Sequence, residues 1–145
     1  MLFNEVQDNI LNHLDEGYVA HGITADFSLG AGLAKILNNR YGLSDALSAA
    51  YSSVPVELRL GQAYLVSGTK VFNLVDKADR YDHVDYLTLE TCLFVLKREC
   101  ESRGIEKLIM PRIACGRDKL DWCVVSQMIQ EVFEDTDIEI TVYYK

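Results

Sequence analysis

The sequence lacks the features that mark several large classes of protein. None of its four cysteines forms a Cys-x-x-Cys pair, so we expect no structural zinc site. No apolar run approaches the ~20 residues that a membrane-spanning helix requires. The first residues do not combine a basic segment with an apolar core, so we expect no signal peptide. We therefore predict a cytoplasmic protein, or an intracellular one if a virus encodes it.

The sequence also has few basic residues relative to acidic ones, and it has no long linker. The chain has 14 Lys and Arg residues against 22 Asp and Glu residues, a formal net charge of −8. An acidic surface repels a phosphate backbone, so we expect no nucleic-acid interface, although backbone N–H groups can still hold a small anion. No repeat, low-complexity tract or long linker divides the 145 residues. We predict a single domain over residues 1–145, monomeric and without metal or cofactor.

Segments of strand length recur along the chain. They occupy 1–6, 17–23, 62–75, 107–110 and 138–144, and Gly68 divides the third into two strands. Helical patterns separate most of them, giving the order β-β-α-α-β-β-α-β-α-β. This alternation predicts an α/β layer sandwich around a largely parallel sheet.

Four segments have the apolar spacing and the end signals of helices. The first has four apolar residues at spacings of three and four, namely Leu33, Ile36, Leu37 and Tyr41. The expected end signals are Gly42 and Gly104 as C-terminal glycines, and Ser44, Asp85 and Asp121 as N-caps. Trp122 and Phe133 are predicted to lie in the core, and His13 and His83 at the surface.

Two loops rich in small residues, 24–31 and 111–120, each follow the carboxyl end of a predicted strand. In open α/β sheets the ligand crevice lies outside these ends, so the loops should flank one crevice. Gly30 and Gly32 precede one helix, and Ala114-Cys115-Gly116 precedes another. Such glycines let a backbone approach an anion, although Gly-x-Gly alone is also typical of a plain tight turn. The two loops together favour a pyrophosphate and its attached ribose.

Three segments of the chain carry a resemblance to a known family. "VAHGITADFSLGAGLA", "MPRIACGRDKLDW" and "SQMIQEVFEDTDIEITVYY" resemble the macrodomain family, and more narrowly its terminal ADP-ribose glycohydrolase class. The resemblance runs over essentially the whole chain. It implies a three-layer α/β/α sandwich with a mixed, largely parallel central sheet that binds ADP-ribose.

The resemblance also implies which residues contact ADP-ribose. Asp8 matches the acidic residue that accepts a hydrogen bond from the adenine amino group, and Tyr143 matches the aromatic residue beside the adenine. Residues of the first and second loops match those around the diphosphate and the distal ribose, namely Gly30, Ala31, Gly32, Cys115, Gly116 and Arg117. Further predicted ligand contacts are the neighbours of these positions, namely Asn9, His21, Thr24, Leu29, Ile113 and Ala114.

The catalytic pair that the resemblance implies is Lys77 and Asp118. An amine attacks the anomeric carbon C1″ of the distal ribose only when deprotonated, and a free Lys has a pKa of about 10.4. A carboxylate across the site can protonate the departing carboxyl group and later activate water. From the residues alone, the favoured interpretation of Lys77 is a solvated charge among acidic neighbours. That of Asp118 is a turn residue that binds its own backbone.

Some positions depart from the family pattern or have a plainer interpretation. Ala114 stands where the family has Gly, and Thr24 where it has Ser. Asp76 and Asp79 would raise the pKa of Lys77 unless they point away from it. His21 has the setting of a buried, hydrogen-bonded imidazole.

The preferred function is hydrolysis of carboxylate esters of ADP-ribose. The substrates would be proteins ADP-ribosylated on Glu or Asp, or the small molecule O-acetyl-ADP-ribose. The alternatives are removal of ADP-ribose from a nucleobase, dephosphorylation of ADP-ribose 1″-phosphate, and a reader module that binds ADP-ribose without chemistry. A purely structural domain would leave the two small-residue loops unexplained.

Overall fold

The computed structural model describes residues 1–145 and contains six strands and five helices. The strands are β1 (Leu2–Gln7), β2 (Tyr18–Thr24), β3 (Ala63–Leu65), β4 (Val71–Lys77), β5 (Lys107–Met110) and β6 (Glu139–Tyr144). The helices are α1 (Gly32–Tyr41), α2 (Leu43–Tyr51), α3 (Val56–Arg59), α4 (Tyr86–Arg103) and α5 (Trp122–Phe133). A short 3₁₀ turn, Ile10–Asn12, follows β1.

One six-stranded sheet organises the chain, in the order β1-β6-β5-β2-β4-β3. All neighbouring strands are parallel except β3 and β4, which pair antiparallel across the turn that contains Gly68. The carboxyl ends of β1, β6, β5, β2 and β4 therefore lie at the same edge. Because β2 and β5 are direct neighbours, the loops that follow them lie side by side, as predicted.

Helices cover both faces of the sheet. Successive strand residues point to opposite faces, and Val19 and Val71 belong to one buried cluster while Ala20 and Phe72 belong to the other. The first cluster includes residues of α1 and α2, and the second includes residues of α4 and α5. The predicted three-layer α/β/α sandwich with a mixed, largely parallel sheet is confirmed.

Most of the predicted helix ends are confirmed. Gly42 and Gly104 both end their helices at φ 66°, in the left-handed region that glycine adopts without a Cβ clash. The carboxylate of Asp85 accepts a hydrogen bond from Thr88 N at 2.7 Å, and that of Asp121 accepts one from Cys123 N at 2.9 Å. These caps fix where α4 and α5 begin.

One prediction about the helices is wrong, and two features of the helices were not predicted. Ser44 does not cap α2, because the helix begins directly after Gly42 and the Ser44 hydroxyl instead donates to the Phe27 carbonyl. In α1 only Leu37 is buried, while Ile36 and Tyr41 are 42% and 36% exposed. The four-residue helix α3 was not predicted, since a single turn has too few residues for a helical period.

Candidate active site

A cleft of about 580 Å³ opens at the carboxyl edge of the sheet, within the size range of small-ligand sites. Its wall is formed by the ends of β1 and β6, the beginning of α1 and the loop after β5. Six predicted ligand residues line it, namely Asp8, Asn9, Gly32, Cys115, Gly116 and Tyr143. The structure thus brings together residues from both ends and from the middle of the chain.

Lys77 and Asp118 form a direct ion pair beside this cleft. Lys77 ends β4 and Asp118 lies in the loop after β5, yet Lys77 Nζ lies 2.8 Å from Asp118 Oδ1. Their side chains are only 15% and 18% exposed, so Lys77 is not a freely solvated charge. Neither residue lines the cavity itself, but Gly116, two residues before Asp118, does. The pair therefore lies next to the second loop.

A β-bulge shapes the end of β4 that carries Lys77. Ile23 pairs with Val75 and Thr24 pairs with Lys77, so Asp76 has no partner on β2. Bulges of this kind re-aim side chains and are frequent next to active sites. Here the bulge leaves Lys77 at the carboxyl edge while Asp76 is 4% exposed.

The two acidic neighbours of Lys77 are held in different ways. Asp79 is exposed, and its carboxylate accepts a hydrogen bond from Tyr81 N at 2.9 Å. Asp76 points inward toward Gly22. Burial, together with the negative charge of Asp118, raises the pKa of Asp76 to about 7. Asp76 therefore carries only part of a negative charge at neutral pH, which limits its effect on Lys77.

Backbone strain is concentrated in the two loops. The four non-glycine residues with positive φ are Phe27 at 59°, Leu29 at 42°, Ala114 at 63° and Lys119 at 57°. Each such residue costs roughly 1–2 kcal/mol, which interactions with the surrounding structure must offset. Strain of this kind is characteristic of ligand-binding segments.

The buried guanidinium of Arg59 holds the first loop. It donates hydrogen bonds to the carbonyl oxygens of Ala25 at 2.7 Å and Val54 at 2.9 Å. It also lies over the Phe27 ring, 4.4 Å from the ring centroid. A planar fork of donors satisfies several carbonyls at once, which the ammonium of a Lys could not do in the same geometry.

Several predicted ligand residues do not line the cleft. Leu29 and Ile113 are each 3% exposed and pack inward, while Gly30, Ala31 and Arg117 lie exposed on the loops. Ala114 is half-buried within the second loop. The Thr24 hydroxyl donates to Asp26 Oδ1 at 2.6 Å. The ligand contacts assigned to these residues stay predictions.

His21 is a structural residue of β2. Its ring is buried, and Nε2 lies 2.7 Å from Asn73 Oδ1. Burial lowers the pKa of His21 to about 4, so the imidazole is neutral. The plainer interpretation of His21 from the sequence is confirmed, and the structure does not bring its side chain into the cleft.

Several residues that line the cleft were not predicted from the sequence, among them Leu33, Ile36, Arg112, Trp122 and Tyr144. Trp122, predicted to lie in the core, is half-buried, and its Nε1 donates to Glu5 Oε1 at 2.7 Å. As the first residue of α5, it directs its side chain back toward the loop before the helix. The Arg112 guanidinium lies 4.1 Å from the Tyr144 ring centroid. The sequence offered a signal only for Arg112, which is a basic residue between a Pro and an apolar residue in "MPRIA".

His13 also departs from its predicted place. His83 is exposed as expected, whereas the side chain of His13 is 19% exposed and stacks on Tyr143. The short 3₁₀ turn after β1 folds back on Asp8. It has too few residues for a helical period, so apolar spacing could not predict it.

No group of three or more His, Cys, Asp or Glu side chains is arranged to hold a metal ion. All four cysteines are free, and Cys92 and Cys100 are buried. None of the helices combines the length and apolar character needed to cross a membrane.

Comparison with known proteins identifies relatives over most of the chain. Human ADP-ribose glycohydrolase OARD1 is 36% identical over 126 residues, which span 86% of this chain and 80% of the human protein. The bovine protein of the same name is 35% identical over 126 residues. No family model matches the chain.

Solved structures share the fold. The macrodomain of Thermus aquaticus DarG superposes with a TM-score of 0.80 at 20% identity, over 99% of both chains. Thermosipho africanus DarTG, solved in complex with ADP-ribose, gives a TM-score of 0.78 at 13% identity and covers 100% of this chain and 42% of that one. At these identities the likeness establishes the fold alone.

The sheet, its two helical layers and the cleft at its carboxyl edge define a macrodomain. With the identity to the two mammalian glycohydrolases, the chain belongs to the macrodomain family, in its terminal ADP-ribose glycohydrolase class. It is a hydrolase of that class.

Proposed function

We propose that the protein removes ADP-ribose from carboxylate esters, with Lys77 as nucleophile and Asp118 as acid and base. The esters would be ADP-ribosylated Glu or Asp side chains, or O-acetyl-ADP-ribose. The observation that carries the proposal is the 2.8 Å contact between Lys77 Nζ and Asp118 Oδ1 beside the cleft. The names of the mammalian relatives support the same reaction class.

The cleft suits the parts of ADP-ribose in a definite order. Asp8 and Tyr143 form one end, which would take the adenine. Gly32 and the Cys115–Gly116 segment form the middle, where backbone N–H groups and the start of α1 would hold the diphosphate. This order directs the distal ribose toward the side of the second loop that carries Asp118. The acidic net charge makes a nucleic-acid substrate the less favoured alternative.

One proton transfer within the ion pair prepares both reacting groups. In the resting pair Lys77 is an ammonium and Asp118 a carboxylate. Moving the proton from Nζ to Oδ1 yields a neutral amine and a carboxylic acid, which are the nucleophile and the acid that the first step requires.

The reaction then proceeds in two steps. The Lys77 nitrogen forms a bond to C1″ as the bond between C1″ and the ester oxygen breaks, and Asp118 gives its proton to the departing carboxylate. Water next attacks C1″ while Asp118 accepts one of its protons, and the C1″–N bond breaks with its electrons returning to nitrogen. Lys77 finally takes the proton back from Asp118, which restores the ion pair and releases ADP-ribose.

The pair also distinguishes a hydrolase from a reader module. A half-buried ion pair contributes little net stability, because desolvation offsets much of its attraction. A module that only binds ADP-ribose gains nothing from placing one beside the terminal sugar. The phosphatase and nucleobase reactions are tested as alternatives below.

The test follows the release of ADP-ribose from a peptide ADP-ribosylated on Glu. Lys77→Ala and Asp118→Asn should each lower the rate at least a hundredfold while the affinity for ADP-ribose stays within a few fold. Lys70→Ala is the matched control, since Lys70 is an exposed lysine at the opposite end of the same strand. The lysyl adduct can open to an iminium when one proton moves from the Lys77 nitrogen to O4″ as the C1″–O4″ bond breaks. Reduction of this iminium with borohydride during turnover should trap the adduct in the wild type and none in Lys77→Ala.

Three outcomes would contradict the proposal. Full activity of Lys77→Ala would exclude the amine mechanism. Wild-type protein that binds ADP-ribose but cleaves no ester would be a reader. Faster turnover of ADP-ribose 1″-phosphate, or of an ADP-ribosylated nucleobase, would transfer the assignment to those reactions.

A further inference from the structure

His13 contacts three groups at the adenine end of the cleft and forms a closed ring of contacts with two of them, Glu16 and Tyr143. Its Nε2 lies 2.7 Å from Asp8 Oδ2, and its Nδ1 lies 2.5 Å from Glu16 Oε2. The Tyr143 hydroxyl donates to the other oxygen of Glu16 at 2.8 Å. The His13 and Tyr143 rings stack, with centroids 3.9 Å apart and planes at 9°. The sequence had marked only Asp8 and Tyr143 as parts of this site.

The chain after β1 is built to hold Asp8 in one orientation. Asn9 caps the 3₁₀ turn by accepting a hydrogen bond from Leu11 N, which brings His13 back over Asp8. The other oxygen of Asp8 accepts hydrogen bonds from Asn9 N at 2.7 Å and from the Asn12 side chain at 3.3 Å. The Asp8 side chain nevertheless keeps 43% exposure, so part of the carboxylate remains free for a ligand.

The geometry requires a protonated His13. Both ring nitrogens face carboxylate oxygens, which only accept hydrogen bonds, so both nitrogens must carry hydrogen. The hydrogen bonds to Asp8 and Glu16 raise the pKa of His13 above its ordinary value, and the same contacts lower the pKa values of both carboxyl groups. Lys107 from β5 also faces Glu16, and Glu139 from β6 faces Tyr143.

The Tyr143 hydroxyl stays protonated in this setting. Burial, and then the hydrogen bond to Glu16, raise the pKa of Tyr143 to about 12. His13 covers one face of the Tyr143 ring, and Tyr143 as a whole is only 7% exposed, so a purine can reach no more than a small part of it. The exposed part of Asp8 and this small part of Tyr143, which lines the cleft, then define the place for the purine.

We propose that His13 is a positioning residue of the adenine subsite, which fixes the Asp8 carboxylate and the Tyr143 ring against each other so that the pocket selects a 6-aminopurine. This inference rests on the proposed binding of ADP-ribose. His13 need not touch the ligand, and it acts by holding the groups that do.

The arrangement makes adenine binding depend on pH. A neutral imidazole has one N–H, so it can donate to Asp8 or to Glu16 but not to both. Loss of the proton also leaves two carboxylates beside each other without a compensating charge. Affinity for ADP-ribose should therefore fall as the pH rises through the raised pKa of His13, and it should be highest below that pKa.

The experiment measures binding of ADP-ribose by calorimetry between pH 6 and pH 9, a range in which the ligand keeps its charge. We expect wild-type affinity to fall about tenfold across this range, as suits one charge-assisted hydrogen bond. His13→Gln should bind ADP-ribose about tenfold more weakly than wild type at pH 6 and show no such dependence. At pH 7.5 it should bind ribose 5-phosphate, which lacks the purine, as wild type does. His83→Gln is the matched control and should behave as wild type.

Each result decides a separate point. A wild-type affinity that is the same at pH 6 and pH 9, or a His13→Gln affinity equal to wild type, would overturn the role of His13 alone. Equal losses for ADP-ribose and ribose 5-phosphate would mean general damage to the site and would also overturn it. A wild-type protein that binds no ADP-ribose at any pH would remove the proposed function itself. Asp76 also titrates in this range. If His13→Gln does not fold, the same pH series on Asp76→Asn decides, because it should keep the fall in affinity if His13 causes it and lose the fall if Asp76 does.

Discussion

Gly22 and Asp76 share one space between β2 and β4. A Cβ atom added to Gly22 would lie 2.4 Å from Asp76 Oδ2, closer than any unstrained contact. The absence of a side chain at position 22 is therefore what lets a carboxyl group turn inward directly beside Lys77. The β-bulge in this strand pair also contributes to the inward turn, because it leaves Asp76 without a partner on β2.

We predict that Gly22→Ala disturbs the site by displacing Asp76. The new methyl group should lower the free energy of unfolding by about 1–3 kcal/mol, as overpacking usually does, and reduce ester hydrolysis. Thermal unfolding and the hydrolysis assay measure the two effects. Asp76→Ala in the same chain should restore most of the lost stability, because it removes the atoms that collide.

Gly30→Ala is the stability control for this variant. No atom lies within 4 Å of a Cβ added at Gly30, so this substitution should leave the melting temperature nearly unchanged. Equal destabilisation by both substitutions would mean that the cost comes from losing glycine in general and not from the contact with Asp76.

Asp76 should also give the protein a distinct dependence of stability on pH. Its pKa is about 7 in the folded protein against 3.8 as the ordinary value, so the folded state binds the proton more tightly than the unfolded state. This group therefore favours folding at low pH, and its contribution is lost as the pH rises from about 4 to about 7, by up to roughly 4 kcal/mol.

The measurement compares wild type with Asp76→Asn by chemical denaturation at pH 5 and pH 8. Asn cannot ionise, so the variant should gain stability relative to wild type on going to pH 8. A difference that is constant between the two pH values would show that Asp76 is ionised throughout.

Ala114→Gly is expected to stabilise the second loop. Ala114 has φ 63°, where its Cβ is unfavourable and glycine is not. We predict a gain of about 1 kcal/mol in the free energy of unfolding, which urea denaturation would measure. Ala31→Gly serves as the opposite case, because Ala31 has φ −150° and should lose stability on the same substitution. A loss of stability in Ala114→Gly would show that the backbone at Ala114 is not strained.

Arg59→Lys should loosen the first loop without removing the charge. A Lys cannot reproduce the fork that reaches the Ala25 and Val54 carbonyls, so buried acceptors would be left unpaired, at a cost of about 1–3 kcal/mol. Faster hydrogen exchange in 25–29 and weaker binding of ADP-ribose are the expected results. Arg40→Lys, at an exposed position near the end of α1, should change neither.

The sequence predicted the frame of the protein because that frame depends on local signals. These signals are the strand-length apolar runs, the left-handed glycines and the caps at Asp85 and Asp121. Each of them determines the structure of only a few neighbouring residues. Parallel pairing of β2 with β5 then brings the loops that follow them side by side. The position of the cleft could therefore be predicted as well.

The parts that could not be predicted depend on contacts between distant segments. The 2.8 Å contact of Lys77 with Asp118, the inward turn of Asp76 and the stack of His13 on Tyr143 each join residues whose spacing carries no period. The resemblance to macrodomains supplied the first of these pairs. The other two involve positions that it did not mark, and they became visible only in three dimensions.

The pairing of the first strand with the last has a practical consequence for handling the protein. Because β1 and β6 are parallel neighbours, the end of the cleft proposed for adenine is assembled from the first and last strands, and Lys145 itself lines the cleft. A tag, dye or surface linker attached after Lys145 would emerge at the rim of the binding groove and compete with the nucleotide for access. Attachment at an exposed position on α4, the long helix across the sheet from α1 and α2, would leave the groove open for immobilised assays.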